Sequence, residues 1–243
     1  MGFRYTPPRK QLTENLLINP RGKINQLAEP QGVIGAGEYF CDGWKAGDNG
    51  AEVYVDSDGF RLVSGSIVQL VPNSLDVGQT IRSGLDIVSG TPQMSINGGT
   101  NNEKANNAEY IRLEVSGDNS KFTRLILAPT KQPPVYTQER DEMTPCLRFL
   151  VVNKETMRRP FCVYASGYAM VHILDFPQRM HKVPAVNIWI SSAASSLSSG
   201  WSEISDRVQA SKDGMTAIIR NTALADHQVA YVAVNHIVAD ARP

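Results

Sequence analysis

Short runs of alternating apolar and polar residues, each closed by a turn former, constrain this chain more than any other feature. Val53/Val55, Ile111/Leu113/Val115 and Leu125/Leu127 recur every second residue. In extended backbone that period puts them on one face and turns Arg112, Glu114 and Arg124 to the other. Similar runs occupy Glu52–Val55, Phe60–Val63, Ile67–Val71, Gly78–Ile81, Leu85–Val88, Met94–Ile96, Tyr110–Val115 and Phe122–Leu127. Asp58-Gly59, between two of them, predicts a hairpin with a type I′ turn, which needs positive φ at both central residues. Strands spaced this regularly predict an all-β fold of the sandwich kind.

The spacing then changes. Residues 97–108 (Asn-Gly-Gly-Thr-Asn-Asn-Glu-Lys-Ala-Asn-Asn-Ala) carry no large apolar side chain, and a surface loop is expected there. Pro129 to Pro134 marks a boundary, and Gln138–Phe149 is the one stretch with helical spacing. Met143, Cys146, Leu147 and Leu150 lie three or four apart, while Pro145 limits the helix to one or two turns. Phe161–Tyr164, Tyr168–Leu174, Ala185–Ile190, Thr216–Ile219 and Val229–Val234 supply strands for a second β unit. A chain of 243 residues can hold two such units. The expected division is an extended N-terminal arm over 1–14, a β-sandwich over 15–130, a linker with a short helix over 131–152 and a smaller β-sandwich over 153–243.

Lys+Arg and Asp+Glu both number 24. That balance removes the electrostatic case for a nucleic acid or an anionic membrane as partner. No apolar run approaches the ~20 residues of a membrane span and no leader precedes the first strand, so no membrane insertion and synthesis in the cytosol are expected. Cys41, Cys146 and Cys162 lack paired spacing, and His172, His181, His227 and His236 form no ligand pattern. The thiols read as small buried hydrophobes, and no metal or cofactor is expected. Templates for nucleophilic hydrolysis, nucleotide chemistry and zinc proteolysis are missing from the sequence. Carboxylates for glycoside cleavage meet only in space, and Asp56, Asp58 and Glu109 stay open as such a pair.

Binding candidates are aromatic and amide side chains. Trp44 could stack on a sugar ring, but its place between strand-like runs makes it a core plug, with Asp42 pinning a turn. Trp189 points opposite to Ile188 and Ile190, toward an outer surface or a subunit interface. Trp201 follows Gly200 in the Ser191–Ser202 loop, where an aromatic has no core to serve, and it is the first candidate contact. Asn101 and Asn102 could bind sugar hydroxyls through their amides, or belong to a solvated connector. In the arm, Phe3, Tyr5 and Arg9 flank Pro7-Pro8, which holds the backbone extended for docking on another surface.

Four segments carry a resemblance. They are Asn15-Leu-Leu-Ile-Asn19 followed by Glu38-Tyr-Phe-Cys-Asp-Gly-Trp44; Tyr136-Thr-Gln-Glu-Arg-Asp-Glu-Met-Thr-Pro-Cys146-Leu-Arg-Phe149; Phe176-Pro-Gln-Arg-Met180 with Val183-Pro-Ala-Val186; and Ala239-Asp-Ala-Arg242. In this order they resemble bacteriophage tail-fibre and receptor-binding proteins of the β-sandwich type. The resemblance implies a jelly roll of carbohydrate-binding-module-like topology for the first unit, a helix linking it to the second and a homotrimer. It also implies a place in the virion, docking on other virion proteins through the arm, and attachment to a host surface glycan without catalysis. It makes Gln69 a recurrent glutamine whose amide holds strands together. Relatives often read Asp-Arg-Trp where this chain has Asp42-Gly43-Trp44, and Cys-x-Arg-Tyr where it ends in Phe149. No heptads or shaft repeats accompany the motifs, so a structural decoration or adaptor protein of the virion is the alternative.

Overall fold

The computed structural model describes residues 14–162, 168–191, 208–220 and 229–243. The chain divides into two compact units, Met1–Arg140 and Asp141–Pro243. Both are β-structures, and the one helix among the described residues is a single turn.

The first unit contains β1 (Gly32–Ile34), β2 (Tyr39–Cys41), β3 (Trp44–Asp56), β4 (Gly59–Pro72), β5 (Thr80–Ser89), β6 (Gln93–Ile96), β7 (Asn102–Lys104), β8 (Tyr110–Ser116) and β9 (Ser120–Ala128). Every pairing is antiparallel, and the order β1-β3-β4-β9-β5-β7 continues separately from β4 through β8 to β6. β4 divides the sheet because its two halves have different neighbours. Phe60–Leu62 pairs with Ser120–Phe122 of β9, whereas Ser66–Pro72 pairs with Tyr110–Ser116 of β8.

The sheet wraps around one core. Buried residues of β4 (Phe60, Leu62, Ile67), β8 (Ile111, Leu113, Val115), β9 (Phe122, Leu125, Leu127), β5 (Ile81) and β6 (Ile96) form a single cluster. At its centre the Phe60 ring stacks on Phe122 at 5.8 Å and meets the edge of Trp44 at 5.3 Å. β8 keeps the alternation strictly, with Arg112 and Glu114 outside and ion-paired at 3.2 Å. Trp44 is fully buried, as its sequence position required.

Two local expectations change. β3 and β4 do form a hairpin, with Asp56 opposite Gly59, so Ser57 and Asp58 are the central residues. Neither has positive φ, and Gly59, at φ 138, takes the unusual conformation just past the turn. The two-residue loop therefore lies one position earlier than expected, and it is not a type I′ turn. Within 97–108, Asn102–Lys104 is a strand paired to Thr80–Arg82, and Ala105 is buried in the core. A neighbour with open ladder groups overrides the poor strand propensity of Asn-Glu-Lys.

The second unit contains α1 (Met143–Cys146), β10 (Leu150–Asn153), β11 (Met157–Cys162), β12 (Tyr168–Asp175), β13 (Ala185–Ser191), β14 (Val208–Ala210), β15 (Gly214–Arg220) and β16 (Val229–Asp240). Asp141 serves α1 as a cap, its Oδ1 accepting the Met143 and Thr144 N–H groups at 3.1 and 2.9 Å. β16 pairs with β10 and β11 along one edge and with β13 along the other. A second sheet runs β12-β15-β14. Val151, Val234, Ile237 and Ala239 from the first sheet join Val171, Ile173, Met215 and Ala217 from the second in one buried cluster.

Candidate functional site

The segments that carry the resemblance prove to be framework locks. Asn19, 1% exposed, donates from Nδ2 to the carbonyls of Ile24 and Asp42, and its own carbonyl accepts the Trp44 indole N–H at 2.9 Å. Asp42 accepts from the Gln26 main chain at 2.8 Å and the Gln26 amide at 2.6 Å, so it pins a turn. Gln69 pairs with Ile18 as a strand would: Oε1 accepts the Ile18 N–H and Nε2 donates to the Ile18 carbonyl, both at 2.9 Å. In the second unit Phe176, Met180 and Ala241 are buried together, and the Ala241 N–H reaches the Phe149 carbonyl at 2.7 Å. Buried and mutually satisfied, these groups contribute order to the fold and leave contact with a ligand to other residues.

An open cleft of about 610 Å³ lies in the first unit. β6 ends one arm of the wrapped sheet and β7 ends the other, and these two edges do not pair with each other. Leu85 of β5 and Met94 of β6, both packed against the core, line the cleft. Gln93, Ser95, Thr100 and Asn101 bring amides and hydroxyls to it. The loop at its rim is held in place. Ile96 N–H donates to the Thr100 carbonyl at 2.9 Å, Ser83 N–H to the Asn101 carbonyl at 3.0 Å, and Thr100 N–H to Glu103 Oε1 at 2.6 Å. That last bond, with the Thr100 hydroxyl beside it, holds the Glu103 carboxyl below the usual carboxylate range. No residue lining the cleft titrates near neutral pH, so its walls offer hydrogen bonds and no acid or base.

Asn101 is therefore at the cleft, but Asn102 is not. Asn102 belongs to β7 and accepts from Arg82 Nε at 3.2 Å. Trp189 belongs to the second unit, where it is 50% exposed and stacks on His236 at 4.6 Å. Phe3, Tyr5, Arg9 and Trp201 lie outside the described residues.

Asp56 and Asp58 do come together, at the tip of the β3–β4 hairpin. Lys121 bridges them at 3.0 and 2.6 Å, and Arg61 holds Asp56 at 3.1 Å. Hydrogen bonding to Lys121 is the leading cause that lowers both carboxyl pKa values, and the pair raises that of Lys121. A glycosidase needs one carboxyl kept protonated beside one kept ionised. Here both are pushed toward the ion, so the pair braces the hairpin against β9.

A second groove, of about 500 Å³, gave no signal in the sequence. Asp86, Arg124, Pro134, Val135, Tyr136 and Gln138 line it. Gly84 faces Ile126 and Asp86 faces Thr123, so Leu85 alone stands opposite Arg124 and Leu125. The extra residue is a β-bulge, and Arg124 sits in it at φ 52. Left-handed backbone costs a residue other than Gly on the order of 1–3 kcal/mol. The exposed ion pair from Arg124 Nη1 to Asp86 Oδ2, 3.2 Å long, returns about 0–1 kcal/mol. The clamp that holds the bulge lies elsewhere. Asn15 donates to the Leu125 carbonyl and accepts from Leu127 N–H, while Leu125 N–H donates to the Pro20 carbonyl. Surroundings this specific impose the strained arginine.

Among the described residues no three His, Cys, Asp or Glu side chains gather as metal ligands. No helix among them is long and apolar enough to cross a membrane. Comparison with protein-family models, curated proteins and solved structures found no match for this chain.

Proposed function

We propose that this chain is a phage virion fibre protein that attaches to a host surface glycan without catalysis. The observation that carries the reading is the cleft beside Asn101, which is open, lined by amides and hydroxyls, and free of titrating groups. Such a surface can exchange hydrogen bonds with sugar hydroxyls, and it offers no group to move a proton. The order of the four motif segments supports the phage assignment, with a jelly-roll topology for the first unit. Hydrogen bonds exchanged with water return only about 0.5–1.5 kcal/mol each. A shallow polar cleft therefore binds weakly, and repetition in a homotrimer supplies avidity of about 10²–10⁴.

The test combines mass and adhesion. Light scattering of the purified chain gives three protomers, and the labelled protein binds a subset of a bacterial strain panel and blocks phage adsorption to those strains. A monomer that binds no strain and blocks no adsorption overturns the reading.

The structural decoration reading draws on the second unit. Trp189 at 50% and Val183 at 56% exposure set apolar groups on its surface, as a protein partner would use them. Substituting Trp189→Ser separates the two: it lowers incorporation into virions if the chain is an adaptor and leaves incorporation unchanged if the chain is an adhesin.

A further inference from the structure

We infer that the groove floored by Asp86 and Arg124 is a second ligand site, selective for a neutral hexopyranose. The inference deepens the attachment reading and rests on it. A bulge in β9 sets Arg124 in left-handed backbone, where glycine is the unstrained choice, and Asn15 and Pro20 hold it there. Bulges re-aim side chains, and strain maintained by specific partners points to use. What the bulge aims is a guanidinium, set beside Asp86 in an open groove.

The chemistry of the lining selects the ligand. Arg124 and Asp86 are half exposed and meet at one contact, Nη1 to Oδ2. Among the described residues this leaves Oδ1 and the remaining guanidinium N–H groups to a ligand. Donors and an acceptor side by side match two adjacent sugar hydroxyls, which donate to the carboxylate and accept from the guanidinium. The pair sums to no net charge, so an anionic ligand gains nothing that Asp86 does not already supply. Pro134, Val135 (57% exposed) and Tyr136 offer an apolar wall to the C–H face of a ring, and the Gln138 amide adds one donor and one acceptor. A volume of about 500 Å³ falls within the ~300–1,000 Å³ range of small-ligand clefts.

The test uses the whole chain, titrated by NMR with the methyl α-pyranosides of glucose, galactose and mannose, and with glucuronate as the charged arm. At least one neutral glycoside is expected to shift the resonances of Arg124, Asp86 and Tyr136. Asp86→Asn and Arg124→Gly should each weaken that glycoside about tenfold or more, the loss expected when a hydrogen bond to a charged group is removed. Arg124→Gly keeps the backbone of the bulge and relieves its strain, so its Tm should equal or exceed that of the parent chain. Saturation of the groove by none of the three glycosides, equal binding by the variants, or tighter binding of glucuronate overturns the site. So does displacement of the glycoside shifts by a peptide rather than by competing sugar. Glycoside binding without blocked adsorption leaves the groove standing and sinks attachment. Blocked adsorption with no shift in the groove does the reverse.

Discussion

Gln69 stands in for a strand: one amide closes both hydrogen bonds that a neighbouring backbone would have made to Ile18. Gln69→Met, similar in volume and unable to make either bond, should cost about 2 kcal/mol in urea unfolding, from the Ile18 groups it leaves without partners. An unchanged midpoint would mean that water replaces the amide. Lys121 gives a residue-scale prediction with a sign. Asp56 and Asp58 are lowered in the folded chain, so their contribution is complete above the unfolded value of about 3.9 and is lost as pH falls through the folded values. Lys121→Met should therefore lower Tm at pH 6, and the gap to the parent chain should close as pH falls through 4 toward 2. A gap constant with pH would assign Lys121 a packing role. The burial of Trp44 and the work of Asp42 were legible because a turn motif between apolar runs admits few other roles. The neighbouring Gly43 is explained only by the coordinates: at φ 78, an added Cβ would lie 2.7 Å from Ile18.

Among the elements, the β3–β4 hairpin shows how far alternation can be read. It located both strands, since Val53 and Val55 alternate up to a turn former, and Gly59 does take positive φ, yet the loop is Ser57-Asp58 and its turn is not type I′. At Gly59 an added Cβ would stand 2.3 Å from the Phe122 carbonyl oxygen, a main-chain atom that cannot step aside. Gly59→Ala should thus cost about 1–3 kcal/mol in chemical denaturation and expose the amides of Phe60–Leu62 to hydrogen exchange. Protection unchanged there would show that β9 yields readily. Two elements escaped the sequence for opposite reasons. β7 has an unfavourable composition and forms because β5 offers it ladder groups, whereas the bulge at Arg124 leaves Leu125/Leu127 looking like uninterrupted period two. The groove follows from that bulge, so neither could be inferred without the register of β5 against β9.

For the molecule as a whole, two buried clusters with no shared residue predict two cooperative transitions. Trp44→Ala should lower the first by about 3–5 kcal/mol and Ile237→Ala the second by about 2–5 kcal/mol, each leaving the other in place. Calorimetry that moves both transitions together would show that the units unfold as one. The two units also differ in how their sheets are assembled. In the first, every strand but β9 has a partner no more than two strands away along the chain. In the second, β10, β11 and β13 all close on β16, whose residues 229–240 follow every other strand of the unit. On the ribosome those three strands must wait unpaired until β16 leaves the exit tunnel. For that interval they present open edges to one another and to nascent chains on the same message, so translation speed and chaperone capture govern how much of the second unit reaches its native state.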